Sequence, residues 1–368
     1  MEKVRYSYLP QQFAEPGPIF EELGRLVASG RYTLGPQVGE FEERFAAMLG
    51  VKHAVGVGSG TDALKLSLKA LGVGPGDEVI TAANTFIATV GAIHDTGARA
   101  VLVDCEDHFC LDVGQVEAAV TPRTRAIMPV QFTGEVADMP RLMAIAGRHG
   151  LPVVEDACQG ILSEFDGRKS GSWGAAAGFS LHPLKNLNVW GDGGVVATGD
   201  DDLDRRLRLL RNHGLKNRDE IELLGCNSRL DTLQAVVGNW LIGQTPAITE
   251  RRIANGAYYD AAFGQVPGLR LPPRRANVKR VFHLYIVFAE RRDALLRHCL
   301  DHGVEAKVHY PIPLYQQEGL KPLGYAPGTF PVTDRHAREV ISFPVDQHLA
   351  REQQDYVIEV VRSFYEGR

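Results

Sequence analysis

The feature that most constrains the fold of this chain is an alternation of short β-rich runs with helical stretches between about residues 50 and 200. Runs such as 78–81 and 100–104 have the composition of strands, and the segments between them have the apolar spacing of helices. Strands separated by helices favour a mainly parallel sheet covered on both faces. Because the later part of the chain lacks this rhythm, we predict a large domain over residues 1–245 and a small α+β domain over residues 246–368.

Composition excludes several classes of function. The net charge is −5 and no basic tract is present, so nothing indicates a nucleic-acid partner. The sequence predicts no signal peptide and no apolar run of the roughly 18–20 residues that a membrane span requires. The five cysteines form no CxxC pair, which favours reduced thiols over a disulfide or metal role. We therefore expect a cytoplasmic protein without a metal, a nucleic-acid partner or a membrane partner.

Polar side chains fall at or near the ends of the predicted strands. They are Ser59, Thr85, Asp156 and Ser180. Ligands of open parallel sheets bind at the carboxyl ends of the strands. We therefore expect these four side chains to converge on one crevice.

Lys185 is the most informative single residue, because it follows Ser180 by five positions and Asp156 by 29 (185 − 156). Asp156 closes an apolar run, and a carboxylate buried there needs a cationic partner. A lysine for a Schiff base, an aspartate for a pyridinium nitrogen and a serine for a phosphate are the parts that hold pyridoxal phosphate (PLP). A solvated lysine and a salt bridge from Asp156 to an arginine are the alternative interpretations.

The segment 58–63, Gly-Ser-Gly-Thr-Asp-Ala, joins a predicted strand to a helix. Its glycines permit close backbone approach, and the N–H groups of Gly60 and Thr61 at a helix N-terminus suit a phosphate. A simple helix cap is the alternative. Phe86 could stack on a pyridine ring, and Gln159 could form a hydrogen bond near it.

Three further positions are candidates on weaker grounds. Asn227, in a loop that enters a helix, could donate to a phosphate or cap the helix. His309 and Tyr310, on a predicted short strand 308–310 of the small lobe, could face a substrate or only pack. Their spacing does not suit a metal site.

These motifs together resemble the DegT/DnrJ/EryC1/StrS family of PLP-dependent sugar aminotransferases over nearly the whole chain. The motifs are Gly30-Arg31-Tyr32-Thr33-Leu34-Gly35-Pro36, Glu155-Asp156-Ala157, Ser180, Lys185-Asn186, His309-Tyr310-Pro311 and Ser342-Phe343-Pro344. The resemblance implies the aspartate aminotransferase-like fold type I of PLP-dependent transferases. That α/β fold has a large domain with a mainly parallel, mixed seven-stranded sheet, a smaller α+β C-terminal domain, and a homodimer with shared active sites.

The resemblance also implies a role for each candidate. Lys185 would form the Schiff base and Asp156 would pair with the pyridinium nitrogen, and these two would be the catalytic residues. The other cofactor contacts would be Gly60, Thr61, Phe86, Gln159, Ser180 and, reaching the neighbouring subunit's cofactor, Asn227. The implied reaction moves the amino group of L-glutamate to a keto sugar, usually one linked to a nucleotide.

Details of the motifs bear on the subtype. Lys185, where a dehydrating branch of the family has histidine, favours transamination. The run 227–231, Asn-Ser-Arg-Leu-Asp, is more similar to members that aminate sugar C3 than to C4 enzymes. Lys307 stands where small or hydroxyl residues are usual, and together with His309 and Tyr310 we expect it to bind substrate through a phosphate or carboxylate.

Other functions stay open at this point. The acceptor could be a cyclitol or another keto compound without a nucleotide. Less favoured alternatives are a sugar dehydratase and a non-catalytic PLP-binding regulator. Regulators of this kind commonly carry an added DNA-binding domain, and here the motifs occupy the chain from about residue 30 to about residue 345.

Overall fold

The computed structural model describes residues 3–367. Its strands, numbered in chain order, are β1 (His53–Val57), β2 (Glu78–Ala82), β3 (Arg99–Val103), β4 (Thr124–Met128), β5 (Val154–Asp156), β6 (Glu164–Phe165), β7 (Arg168–Lys169), β8 (Ala176–Ser180), β9 (Gly194–Thr198), β10 (Leu269–Arg270), β11 (Val278–Lys279), β12 (Tyr285–Ala289) and β13 (Val340–Phe343).

The α-helices are α1 (Leu9–Gln12), α2 (Gly17–Ser29), α3 (Pro36–Leu49), α4 (Gly60–Ala70), α5 (Ile87–His94), α6 (Val113–Ala119), α7 (Met139–His149), α8 (Asp201–Leu210), α9 (Thr232–Ile242), α10 (Thr245–Phe263), α11 (Arg292–Asp301), α12 (Pro331–Glu339) and α13 (Arg351–Glu366). Short 3₁₀ segments cover Phe132–Gly134, Leu314–Gln316 and Glu318–Leu323. Within residues 3–367, no helix has both the length and the apolar content to cross a membrane.

The large lobe is built on one mixed sheet. A three-stranded part, β3-β2-β4, and a four-stranded part, β5-β8-β9-β1, are joined by parallel bridges from Ile127 to Val153 and from Val130 to Asp156. The resulting order is β3-β2-β4-β5-β8-β9-β1, and of these seven strands only β9 runs antiparallel to its neighbours. The predicted mainly parallel, mixed seven-stranded sheet is confirmed.

Close packing fixes α4 against the sheet. A Cβ atom on Gly178 of β8 would lie 2.7 Å from Leu64 Cδ2 of α4, so the strand accepts only glycine at this contact. Leu64 and Leu68 of α4 are fully buried. Because α4 lies this close to β8, its N-terminus reaches the edge of the sheet where β8 ends.

The small lobe contains the antiparallel sheet β10-β12-β13. Its core includes stacked rings of Tyr259 and Phe263, whose centroids lie 5.2 Å apart, and Phe343 from β13. Val4 forms a bridge with Val304, so the N-terminal segment packs on this lobe. The domain boundary between residues 245 and 246 stays a prediction, and residues 1, 2 and 368 of the two predicted ranges lie outside the described residues.

The prediction of a strand over 308–310 is wrong. Only Lys307 bridges to the neighbouring strand, through Ser342, and the chain then runs into Pro311 and Pro313. Proline has no N–H to donate, so the pairing cannot continue in that direction. His309 and Tyr310 therefore lie on a loop.

Candidate active site

The carboxyl edge of the large sheet opens into a cavity of about 340 Å³. Strands β1, β2, β5 and β8 end at this edge, and the residues at or just beyond their ends line the cavity: Ser59, Thr85, Asp156 and Ser180. The structure thus brings together the four polar residues that the sequence placed at strand ends.

Asp156 is a buried carboxylate that accepts hydrogen bonds but forms no salt bridge within residues 3–367. Its side chain is 5% exposed. Oδ2 accepts a hydrogen bond from Thr89 Oγ1 at 2.6 Å and Oδ1 accepts one from the Cys158 N–H at 3.2 Å. Because Thr89 uses its hydrogen on Asp156, Thr85 Oγ1 donates to Thr89 Oγ1 at 2.7 Å. Asp156 forms no salt bridge with a basic side chain of residues 3–367, which contradicts the alternative of a structural arginine partner.

Lys185 lies in the irregular segment between β8 and β9 and lines the same cavity. Burial lowers the pKa of its ammonium below the ordinary value, while Cys158 and Asp156 act in the opposite direction. A lysine with a lowered pKa has a larger neutral fraction near neutral pH, and the neutral amine is the form that attacks a carbonyl.

The N-terminus of α4 provides a cradle for an anion. Ser59 caps the helix by accepting from the Asp62 N–H at 3.1 Å. The N–H groups of Gly60 and Thr61, in the first turn, have no intrahelical acceptor and are free for a ligand. A Cβ atom on Gly60 would lie 2.7 Å from Ser180 Cβ, so glycine lets the helix approach Ser180. The capping and phosphate interpretations of this segment are therefore compatible.

An aromatic ring and an amide lie at the cavity beside Asp156. Phe86 is the N-cap residue of α5, and its ring is 52% exposed although it lines the cavity. Gln159 is buried, and its Oε1 accepts from the Thr133 N–H at 2.8 Å. That bond fixes the orientation of the amide at the cavity wall.

The small lobe supplies part of the cavity wall. His309 Nδ1 lies 2.8 Å from Ser342 Oγ, and burial lowers the pKa of His309 to about 4. The Tyr310 ring lies 6.2 Å from the Phe86 ring, centroid to centroid. Lys307 Nζ lies 4.5 Å from the centre of the Tyr6 ring, a cation–π contact. The predicted substrate-binding residues therefore line the same cavity as Lys185.

Asn227 is the one predicted site residue that lies elsewhere. It is exposed, pairs with Asn212 through an isolated antiparallel bridge, and does not line the cavity of its own chain. Its expected contact with a neighbouring subunit's cofactor stays a prediction.

Several cavity residues were not identified from the sequence. They are Tyr6, Thr89, Cys158, Arg252, His283 and Asp346. Thr89 could have been found, because it follows Phe86 by one helical turn and so projects toward the same strand end. The residues from the N-terminal segment and the small lobe carry no local signal, since only the tertiary fold brings them to the cavity.

These residues fit PLP. The buried Asp156 carboxylate forms no salt bridge within residues 3–367, Lys185 has a lowered pKa, and the first turn of α4 presents the N–H groups of Gly60 and Thr61. Fold and site together define an enzyme of the fold type I class of PLP-dependent transferases.

The comparisons with known proteins identify the family. The sequence profile of the DegT/DnrJ/EryC1/StrS aminotransferase family matches residues 17–362. The chain belongs to this family, as its sequence motifs implied, and it is a PLP-dependent sugar aminotransferase.

Two of the relatives are named as transaminases of nucleotide-linked sugars. The chain is 44% identical over 347 residues to the dTDP-3-amino-3,4,6-trideoxy-alpha-D-glucose transaminase of Streptomyces venezuelae, covering 94% of this chain and 91% of the relative. It is 41% identical over 351 residues to the UDP-N-acetyl-3-dehydro-alpha-D-glucosamine 3-aminotransferase of Acidithiobacillus ferrooxidans, covering 95% and 94%. The crystal structure of S. venezuelae DesV in complex with a ketimine intermediate superimposes with a TM-score of 0.97 at 41% identity, over 100% of this chain and 99% of that chain.

Proposed function

We propose that this enzyme transfers the amino group of L-glutamate to the C3 keto group of a nucleotide-linked sugar. Two relatives, with 44% and 41% identity, are named for 3-amino or 3-dehydro sugars bearing dTDP or UDP. The 227–231 run, which is similar to that of C3-aminating members, supports the same position on the ring. The relatives differ in nucleotide, so the proposal names the class of acceptor and not one compound.

The observation that carries the proposal is the pairing of Lys185 with Asp156 at one cavity. Pyridoxal phosphate, when bound, supplies a ring that accepts the electron pair released at the substrate carbon. The Asp156 carboxylate would keep the ring nitrogen protonated, because it is buried and forms no salt bridge with a basic side chain of residues 3–367. Lys185 would bind the cofactor and then, as a free amine, carry a proton at Nζ.

The remaining contacts would orient the cofactor. Gly60 and Thr61 would donate backbone N–H groups to the phosphate, with the hydroxyl of Ser180 beside them. The Ser180 hydroxyl lies within reach because glycine at position 60 lets α4 approach β8. Phe86 would cover one face of the ring, and Gln159 would donate from its Nε2, since its Oε1 is held by Thr133.

The small-lobe wall would bind the substrate. His309 is neutral at physiological pH, because burial holds its pKa at about 4, and a neutral imidazole can form hydrogen bonds with sugar hydroxyls. Lys307 forms no salt bridge within residues 3–367, so its charge is available for a phosphate or carboxylate of a substrate. Tyr310 lies between these residues and Phe86 and would contact the sugar.

We propose that the enzyme is a homodimer with shared active sites. Large apolar side chains are exposed on one face: Phe20, Val27, Tyr32, Trp190 and Leu233. The rings of Phe20 and Trp190 lie 5.7 Å apart, and the Tyr32 carbonyl accepts from the Thr232 N–H, next to Leu233. Exposed apolar patches of this kind mark interaction sites.

Free thiols on all five cysteines favour a reducing compartment, and we place the enzyme in the cytoplasm.

Spectroscopy of the purified enzyme tests the reaction. L-Glutamate should convert the visible absorbance of the lysine-bound cofactor to the ultraviolet band of pyridoxamine phosphate, and Lys185→Ala should not show the visible band. A 3-keto nucleotide sugar should then restore that band faster than its 4-keto isomer. Conversion with another donor only, or restoration by the 4-keto isomer only, would refute the corresponding part of the proposal.

Asn227→Ala tests the shared site. If Asn227 reaches the partner's cofactor phosphate, the variant should bind PLP about tenfold more weakly, the effect of losing one hydrogen bond to a charged group. Ultracentrifugation should show a dimer for both proteins. Unchanged PLP affinity, or a monomeric wild-type enzyme, would count against the shared site.

A further inference from the structure

The backbone at Lys185 is held by a side chain. No helix or strand covers residues 181–193, so the segment that presents the lysine amine lacks the support of regular structure. The Lys185 carbonyl accepts a hydrogen bond from Asn188 Nδ2 at 2.8 Å. The orientation of Asn188 therefore bears directly on the position of Lys185.

Asn188 is the end of a chain of buried hydrogen bonds. Gln12 Nε2 donates to Asn188 Oδ1 at 3.1 Å, and Gln347 Nε2 donates to Gln12 Oε1 at 2.7 Å. Arg252 Nη1 donates to Gln347 Oε1 at 2.8 Å. The exposed fractions of these side chains are 1% for Asn188, 8% for Gln12, 6% for Gln347 and 7% for Arg252.

The two ends of the chain fix the direction of every bond in it. A guanidinium only donates and a carbonyl only accepts, so Arg252 and the Lys185 carbonyl determine which end of each amide faces which neighbour. Rotating any one amide by 180° would bring two donors or two acceptors together. Bonds that all run in one direction also polarise one another. The chain therefore has one satisfied arrangement.

This arrangement connects three separate parts of the molecule. Gln12 ends α1 near the N-terminus, Asn188 lies in the lysine segment, and Gln347 precedes α13 in the small lobe. Arg252, on α10, also donates to the carbonyls of Phe282 and His283 at 3.0 Å each. The lysine segment is thus tied to the N-terminal segment and the small lobe by side-chain hydrogen bonds.

We propose that Gln12 and Gln347 are positioning residues for Lys185. Neither residue lines the cavity, so we infer that each acts on the site through its neighbours. They act by holding Asn188, and through it the backbone from which the lysine amine projects. The inference rests on the proposed role of Lys185, but the position of the segment can be measured without that role.

Hydrogen exchange of the apoprotein tests the proposal. The Lys185 N–H donates to His182 O at 2.8 Å and the Val189 N–H to Leu181 O at 2.9 Å, so both amides are protected while the segment is closed. Gln12→Met keeps the length of the side chain but removes both of its hydrogen bonds. We expect it to speed exchange of these two amides about tenfold. Gln11→Met, at an exposed neighbouring position, is the control and should leave them unchanged.

Gln347→Met separates positioning from simple stabilisation. The side-chain hydrogen bonds of Gln347 within residues 3–367 go to Gln12 and Arg252 and not to the lysine segment. This variant should nevertheless speed exchange of the same two amides, and the double variant should add little to either single one. In the holoenzyme, each variant should lower kcat of the glutamate half-reaction more than it raises KM. Unchanged exchange at Lys185 and Val189 in Gln347→Met would overturn the proposal, whatever the activity. If Gln12→Met does not fold, the Gln347→Met result decides alone.

Discussion

Gly60→Ala is the sharpest test of the cofactor cradle. The added Cβ atom would lie 2.7 Å from Ser180 Cβ, 3.1 Å from Ser180 Cα and 3.1 Å from Cys158 Sγ. Non-bonded carbon atoms prefer separations of about 3.5–4.0 Å, so either α4 or β8 must shift by most of an ångström. Overpacking of this kind costs about 1–3 kcal/mol.

The cost should appear in two measurable quantities. If the protein absorbs the clash, the free energy of unfolding of the apoprotein falls by about 1–3 kcal/mol. If α4 moves away from Ser180 instead, the phosphate loses its aligned donors and the PLP dissociation constant rises by up to about 150-fold. Chemical denaturation and PLP titration together measure both.

Gly91→Ala is the matched control for Gly60→Ala. Gly91 lies inside α5 without a positive φ, and a Cβ atom added there would meet no atom within 4 Å beyond the backbone of its own helix. Alanine at this position should therefore be neutral or slightly stabilising. If Gly60→Ala matched the wild type in both unfolding and PLP affinity, the steric argument for the cradle would be refuted.

Two further predictions follow from hydrogen bonding and burial. Thr89→Val removes the 2.6 Å hydrogen bond to Asp156, and losing a bond to a charged group should lower the free energy of unfolding, measured by chemical denaturation, by about 1.5–3 kcal/mol. Thr96→Val, which loses a bond to the neutral Ile93 carbonyl, is the control, and equal effects would contradict the prediction. His309 has its pKa lowered from 6.5 to about 4, so the unfolded chain binds a proton that the folded chain does not, and stability should fall as the pH decreases from 6.5 to 4. In denaturation curves, the free energy of unfolding of His309→Gln should fall less between pH 6.5 and pH 4 than that of the wild type, and the exposed His94→Gln is the control. Parallel pH profiles of unfolding free energy for His309→Gln and the wild type would contradict the prediction.

The sequence predicted the parts of the fold that have local signals. Strands β2 and β3 are found within one residue of the predicted runs 78–81 and 100–104, because their β-rich apolar composition marks them. Asp156 and Lys185 could be predicted to meet at one cavity, because the roles proposed for them require fixed residue types near strand ends. Gln347 lies before α13, which begins at Arg351, and its place in the buried hydrogen-bond chain is marked by no local signal.

Residues that depend on tertiary contacts could not be predicted. In the sequence Arg252 is one more polar residue on α10, and only its burial against the carbonyls of Phe282 and His283 distinguishes it. Tyr6 reaches the cavity because Val4 pairs with Val304, a contact between residues 300 positions apart (304 − 4). Periodicity and spacing carry no information about such long-range contacts.

The single reversed strand of the large sheet has a consequence for the lysine. Because β9 runs antiparallel to β8, the chain leaves β8 and enters β9 at the same edge of the sheet. Both ends of the lysine segment, residues 181–193, therefore lie beside the cavity. A hydrogen bond from the Leu181 N–H to Gly193 O at 2.8 Å joins the two ends of this segment. A parallel β9 would require a crossover to the opposite edge and would draw the segment away. The reversed direction of β9 therefore keeps the segment that carries Lys185 at the carboxyl edge of the large sheet, through contacts that do not involve the small lobe.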